Sequence, residues 1–338
     1  MEVPYAKYLD CAVDILNEIV ITHWLSNGRE KSGLVVRLQG FDRGTFGGNF
    51  HTHNMLSIPP GLDAVCYSNG WDYVRGMRYL LRQAGLGGRI CMSIDCTDLL
   101  NRRHLLPESS DGWFLHRYPS AAGSDGYEGE MSFDEVAVYA SDEGSTGGFK
   151  RLTPCEAAAL TMGTVSLIIV SYGNGIPTSL LAMNEIQKRP QADRSEIQKR
   201  PQTDRSGGTG PGVVLVVDTP YLSSPPKGLT ALLTAMSSKV KRQEGLLLST
   251  TKAPSLLFAD ICKEGGSGMP LAGFVVELQS REVLAGFPAW QIVGAQATYN
   301  PLGQMVTFLS KDDIISKADR LAAIREGGMV EKKLDQCR

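Results

Sequence analysis

The sequence predicts an α/β protein with parallel strands, arranged as two successive units. Three observations carry that prediction. Short apolar runs of strand length, such as 34–38, 167–171 and 213–217, alternate with segments whose apolar positions recur at helical spacing. Glycine-bearing turns punctuate the junctions. The hydrophobic fraction of 42% and charged fraction of 21% are those of a folded globular chain.

The elements follow in order. Residues 6–25 place Ala6, Leu9, Val13, Leu16, Ile19, Val20 and Trp24 at helical spacing, and Ser26-Asn27-Gly28 stops that helix. A strand over 34–38 leads to a glycine-rich loop, Gly40 to Gly48, then to Asn49-Phe50-His51-Thr52-His53-Asn54. A strand at 64–67, a helix at 71–83 and a strand at 89–94 complete the first unit, residues 1–106. Residues 107–151 are rich in Ser, Gly, Asp and Glu, with one strand-like island at 134–140, and read as a linker crossing the surface.

The second unit, 152–330, opens with the apolar strand 167–171 and the turn Gly173-Asn174-Gly175. A helix over 177–187, a strand at 213–217, a helix over 227–238, a strand at 255–258 and apolar segments at 273–278 and 290–295 follow, before a closing helix over 311–325. Between its first helix and next strand lies a tandem repeat, EIQKRPQADRS then EIQKRPQTDRS, over 185–206. Two polar, proline-bearing copies cannot build a core, so they read as a duplicated surface loop. A partner-binding tag is the alternative.

Bulk properties exclude several classes. A net charge of −2 gives no electrostatic footprint for nucleic acid or for an acidic membrane. No stretch approaches the roughly 18 apolar residues of a membrane span. The seven cysteines are scattered without the CxxC spacing of a zinc or redox site, which points to free thiols in a reducing compartment.

Among single residues, His51 on the glycine-rich loop is the catalytic candidate. A loop histidine can exchange a proton near neutral pH, or can simply be hydrogen-bonded in place. His51 and His53 have a zinc-compatible spacing, but no third ligand accompanies them, so no metal site is assigned. Gly173-Asn174-Gly175 mimics the start of a dinucleotide fingerprint; Thr178 at its third glycine position makes a plain strand-to-helix turn the better reading. Asp260, Lys263 and Glu264 read as a charged surface turn, with a polar site as the alternative. Asp95, Asp98, Arg102 and Arg103 read as an ion-paired cap or subunit contact, and Cys262 as an inert thiol.

Several segments, taken in order, resemble the beta-type subunit of 2-oxoacid dehydrogenases and, more loosely, transketolase-like enzymes. They are the loop from Gly47 to His53, Ile58-Pro59-Pro60-Gly61-Leu62-Asp63-Ala64-Val65, and Tyr67-Ser68-Asn69-Gly70-Trp71-Asp72. In the second unit they are the strand 167–173, Val217-Asp218-Thr219-Pro220, the turn 260–265 and the late loop 298–303. The resemblance fails in the linker and in the tandem repeat. It implies a partial pyrimidine-binding-type sheet followed by a complete transketolase-type C-terminal domain.

It further implies thiamine diphosphate chemistry, with His51 beside the cofactor's reactive end and assisting transfer to a lipoyl carrier. No residue matches the family's glutamate that protonates the cofactor's aminopyrimidine ring, nor its Gly-Asp-Gly magnesium motif. The cofactor and its Mg would therefore be held by an alpha-type subunit or by an upstream segment. The first unit is expected to expose an open sheet edge and an uncovered apolar face. The expected protein is an oligomeric component of a 2-oxoacid dehydrogenase, inactive alone, or a non-catalytic assembly module. The compartment implied is the mitochondrial matrix or the bacterial cytoplasm.

Overall fold

A computed structural model of the chain describes residues 1–41, 58–102, 118–119, 129–142, 148–160, 165–188, 212–244, 254–264, 268–299 and 307–325. The protein is α/β, with one sheet in each of two units. The first holds β1 (Glu2–Val3), β2 (Leu34–Gly40), β3 (Asp63–Val65) and β4 (Ile90–Cys96), hydrogen-bonded in the order β1-β2-β4-β3 and all parallel. Helix α1 (Val13–Leu25) is preceded by a 3-10 segment, Ala6–Ala12, so the predicted single helix is made in two forms; neither start carries a side-chain cap.

Helix α2 (Gly70–Gly87) is better defined locally. The Asn69 side chain accepts from the Asp72 backbone N–H at 2.9 Å, and Gly88, at φ 70°, closes the far end in the left-handed conformation. All seven residues of β4 are buried, as a central parallel strand requires. The period of two splits neighbouring side chains between faces. Val36 and Leu38 share a core with Leu16 and Val20 of α1, while Val35 and Cys91 pack with Met77 and Leu80 of α2. Both faces are thus covered, which corrects the expectation of an uncovered apolar face.

The edge at β3 is closed too. Val65 forms an antiparallel bridge with Tyr221, Cys66 N–H donates to Pro220 O at 2.8 Å, and Leu222 N–H donates to Ala64 O at 2.9 Å. A segment of the second unit therefore covers the β3 edge, and β1 is the other edge strand of the sheet. Helix α1 also carries exposed apolar residues on its outward side, Ile15, Ile21 and Leu25.

The second sheet runs β10-β9-β7-β8-β5-β6. Strands β7 (Val165–Ser171), β8 (Val213–Asp218), β9 (Ser255–Lys263) and β10 (Trp290–Ala295) are parallel, and β5 (Ala137–Ser141) and β6 (Phe149–Leu152) add an antiparallel pair beside β8. These last two strands correct the linker reading of 107–151. Ala137, Val138 and Tyr139 are core residues, so the strand-like island at 134–140 pairs with β8 in the sheet rather than crossing the surface.

A short α3 (Thr97–Leu100) follows β4, and α4 (Pro154–Ala159) begins with a capping box between Thr153 and Glu156. Helices α5 (Gly175–Lys188), α6 (Lys227–Glu244), α7 (Pro270–Ser280) and α8 (Lys311–Arg325) complete the unit, and the apolar segment 273–278 belongs to α7. The first four residues of the tandem repeat are not loop. They form the last turn of α5, where Ile186 is buried and Glu185 pairs with Lys311 of α8. Residues 189–206 of the repeat lie outside the described residues. No described helix is long and apolar enough to cross a membrane.

Candidate functional site

Ligands of α/β sheets bind beyond the carboxyl ends of the parallel strands. Here the carboxyl ends of the two sheets face each other. Cys66 and Cys96, after β3 and at the end of β4, bring their sulfurs within 3.5 Å, and the turn after β7 sits on them. Asn174 donates its backbone N–H to Cys96 Sγ at 3.3 Å and its side-chain amide to Phe41 O at 3.0 Å and Asp98 at 2.8 Å. Gly173 has φ 51°, and a Cβ there would lie 2.5 Å from Cys66 Sγ and 2.8 Å from Cys96 Sγ. Gly173-Asn174-Gly175 is therefore a tight turn whose glycine admits the opposing unit, and mutual packing fills the middle of the crevice.

A polar joint flanks that contact. Arg151 of β6 makes two bonds to the buried Asp72 of α2, at 2.7 and 3.0 Å, and Arg75 approaches the same carboxylate at 3.3 Å. The Trp71 ring lies beneath both guanidinium groups, 4.3 Å from Arg75 and 4.9 Å from Arg151. Burial works to raise the Asp72 pKa, but Arg151, Asn69 and Arg75 outweigh it and hold the carboxyl below its ordinary value. Asp218, at the end of β8, accepts from Ser68, while its other oxygen has no partner among the described residues. Burial, together with the charge of Asp72, pushes Asp218 up to about 8. None of these residues was assigned a role from sequence. Asp72 and Asp218 fall in segments noticed only for their resemblance, and Arg151 ends the stretch read as linker.

Beside the filled crevice a cleft of about 480 Å³ remains open, within the size range of small-molecule sites. Phe41 and Ile94 line it from the first unit; Leu222, Cys262, Met269 and Phe274 line it from the second. Behind Cys262, the Tyr172 hydroxyl donates to Asp260 at 2.7 Å, and Asp260 also accepts from the backbone N–H groups of Cys262 and Leu271, each at 2.9 Å. Asp260 is fully buried in β9, which corrects the reading of 260–264 as a charged surface turn. Its carboxylate organises the start of α7. Burial and the neighbouring Asp260 push the Cys262 thiol well up, so it faces the cleft as a neutral group. Lys263 stays nearer the surface, with its ammonium 4.4 Å from the centre of the Tyr299 ring.

His51 and His53 lie outside the described residues. Phe41 and Ile58, which bound the segment 42–57 carrying them, both line the cleft. Asp95 is buried and ion-paired with Arg37, and Asp98 meets Asn174, so both act inside the fold or at the joint of the units. Arg103 is also outside the described residues.

The described walls do not fit thiamine diphosphate. The buried carboxylates among the described residues are Asp63, Asp72, Asp95, Asp218 and Asp260; each is bonded within the protein, and none lines the cleft. Glu277, the carboxylate on the cleft wall, is ion-paired with Arg281. Among the described residues no group of three or more His, Cys, Asp or Glu is arranged to hold a metal ion.

No known family profile matches the sequence, and no curated protein does. Among solved structures the chain is similar to a "Split gene transketolase, inactive beta4 tetramer" at 12% identity, over 95% of this chain and 75% of that one, with a TM-score of 0.42. It is similar to a mutant transketolase from Pichia stipitis at 8% identity, over 96% of this chain and 34% of that one, with a TM-score of 0.45. A transketolase from Leishmania mexicana is similar at 9% identity, over 95% and 33%, with a TM-score of 0.39. The chain thus spans about a third of the length of the latter two.

Proposed function

We propose that the chain is a component of a thiamine-diphosphate-dependent 2-oxoacid dehydrogenase and is inactive alone. In this reading an alpha-type partner subunit or an upstream segment holds the cofactor and its magnesium. The chain contributes His51 as a catalytic residue for passing the acyl group to a lipoyl carrier. Support comes from the ordered resemblance of its segments to beta-type subunits. One structural observation carries it further: the segment bearing His51 is bounded by two residues of the cleft wall, Phe41 and Ile58. The mitochondrial matrix or bacterial cytoplasm is proposed on the same resemblance.

The experiment pairs the chain with its alpha-type partner and follows His51→Ala through acylation of lipoyl-lysine. The reading expects acyl transfer to slow by about a hundredfold, the scale of a lost proton-transfer group, with cofactor affinity nearly unchanged. An unaltered acylation rate removes His51 from the reaction.

A specific observation favours a second reading, in which the chain is a non-catalytic, transketolase-like assembly module. The carboxyl ends of β3, β4, β7 and β8 are occupied by each other's units, and the outward side of α1 shows Ile15, Ile21 and Leu25. On that reading the chain assembles into an oligomer through α1, and the complex keeps full activity in the His51→Ala form.

A further inference from the structure

We propose that the cleft between the first sheet and α7 binds a compact, uncharged apolar group, a branched aliphatic chain or a single aromatic ring. Its walls come from both units, whose strand ends interlock beside it. Phe41, Ile94, Leu222 and Phe274 give it a carbon lining. The charged side chain on the described wall is the Glu277 carboxylate, so an anion drawn inside would lose its hydration and meet like charge.

The polar groups on the wall are largely committed. Ser223 donates to Leu62 O at 2.7 Å and accepts from Ala64 N–H at 2.9 Å. Glu277 is tied to Arg281. Ser224 on the wall can meet a ligand's polar end. The apolar preference stands on the cleft alone. Its meaning as the side-chain pocket of a 2-oxoacid rests on the function proposed above, and would select a branched or aromatic 2-oxoacid over a dicarboxylic one.

The test uses the full chain with labelled Ile, Leu and Met methyl groups, titrated with three probes and read by NMR. The probes are α-ketoisocaproate, the neutral methyl isobutyl ketone, and α-ketoglutarate. Both branched probes are expected to shift the Ile94, Leu222 and Met269 signals saturably, at least roughly tenfold more tightly than α-ketoglutarate. Gly273 lies on the wall, and a Cβ there meets no atom within 4 Å, so Gly273→Phe should fill the cleft without strain and weaken binding by about tenfold. If that variant does not fold, Val276→Trp on the exposed rim takes its place. Binding of the neutral ketone without α-ketoisocaproate would keep the apolar site and remove the 2-oxoacid meaning. No saturable shift with the ketone, equal affinity for α-ketoglutarate, or binding unchanged in the filled variant would overturn the proposal.

Discussion

Arg151 clasps Asp72 with two hydrogen bonds across the joint of the two units, β6 on one side and α2 on the other. Asp72 is buried and Arg151 partly so, and the pair is backed by Arg75 and the face of Trp71. Removing one member leaves the other charge without its partner in a dry place. Asp72→Asn or Arg151→Met should therefore cost about 3 kcal/mol or more, measured by urea unfolding. The double variant Asp72→Asn/Arg151→Met should cost less than the sum of the two, because neither charge is left facing a missing partner. Asp72 is held below its ordinary value, so its contribution is present above about pH 4 and is lost as the pH falls through the folded value.

Asp218 works in the opposite direction. Its folded carboxyl, at about 8, binds a proton that the unfolded chain releases near its ordinary value. Stability should therefore fall as the pH rises from about 4 to about 8, by up to roughly 6 kcal/mol, and level off beyond. Asp218→Asn keeps an acceptor for Ser68 and abolishes the titration. Unfolding curves at several pH values should show that slope flatten and the variant gain stability at the alkaline end. An unchanged slope would mean that Asp218 is ionised in the folded protein.

Gly173→Ala should be costly for two reasons that add. The residue is left-handed at φ 51°, and the new Cβ would press on Cys66 and Cys96. A loss of about 2–4 kcal/mol is expected by denaturation. Adding Cys66→Gly should recover part of it, because space rather than backbone alone is limiting. A fully tolerated Gly173→Ala would show that the units are not in contact there.

Thiol chemistry should separate the cysteines by burial. Cys11 is exposed, whereas Cys66, Cys91, Cys96 and Cys262 are buried. Burial pushes Cys91 up to about 12 and also holds Cys262 well above its ordinary value. Maleimide labelling followed by peptide mapping should modify Cys11 long before those four. Rapid labelling of Cys262 would instead mark it as an active thiol.

Much of the fold was legible in the sequence because buried parallel strands and amphipathic helices carry strong local patterns. The runs at 34–38, 167–171 and 213–217 sit within β2, β7 and β8, and the helix expected over 311–325 is α8. The strand-like island at 134–140 holds most of β5 but was placed in a linker, and β6 was missed, because both strands are short, lie among polar residues, and owe their existence to β5–β8 and β5–β6 pairing that no local window contains. The joint was illegible for the same reason. Asp72 and Arg151 stand 79 positions apart, and only the crossing of the two sheets brings them together. Asp260 looked like surface because its neighbours Lys263 and Glu264 are polar, yet the hydroxyl of Tyr172, 88 positions away, makes a buried place for it. His51 was chosen from its loop and from resemblance, and the described residues contribute only the two residues that bound its segment, Phe41 and Ile58.

The most direct test of the central claim is calorimetric titration of thiamine diphosphate with magnesium into the purified chain, alone and then with an alpha-type partner. The account predicts no saturable heat from the chain alone, and tight, magnesium-dependent binding once the partner is present. Stoichiometric binding by the isolated chain, with turnover of a 2-oxoacid, would contradict it.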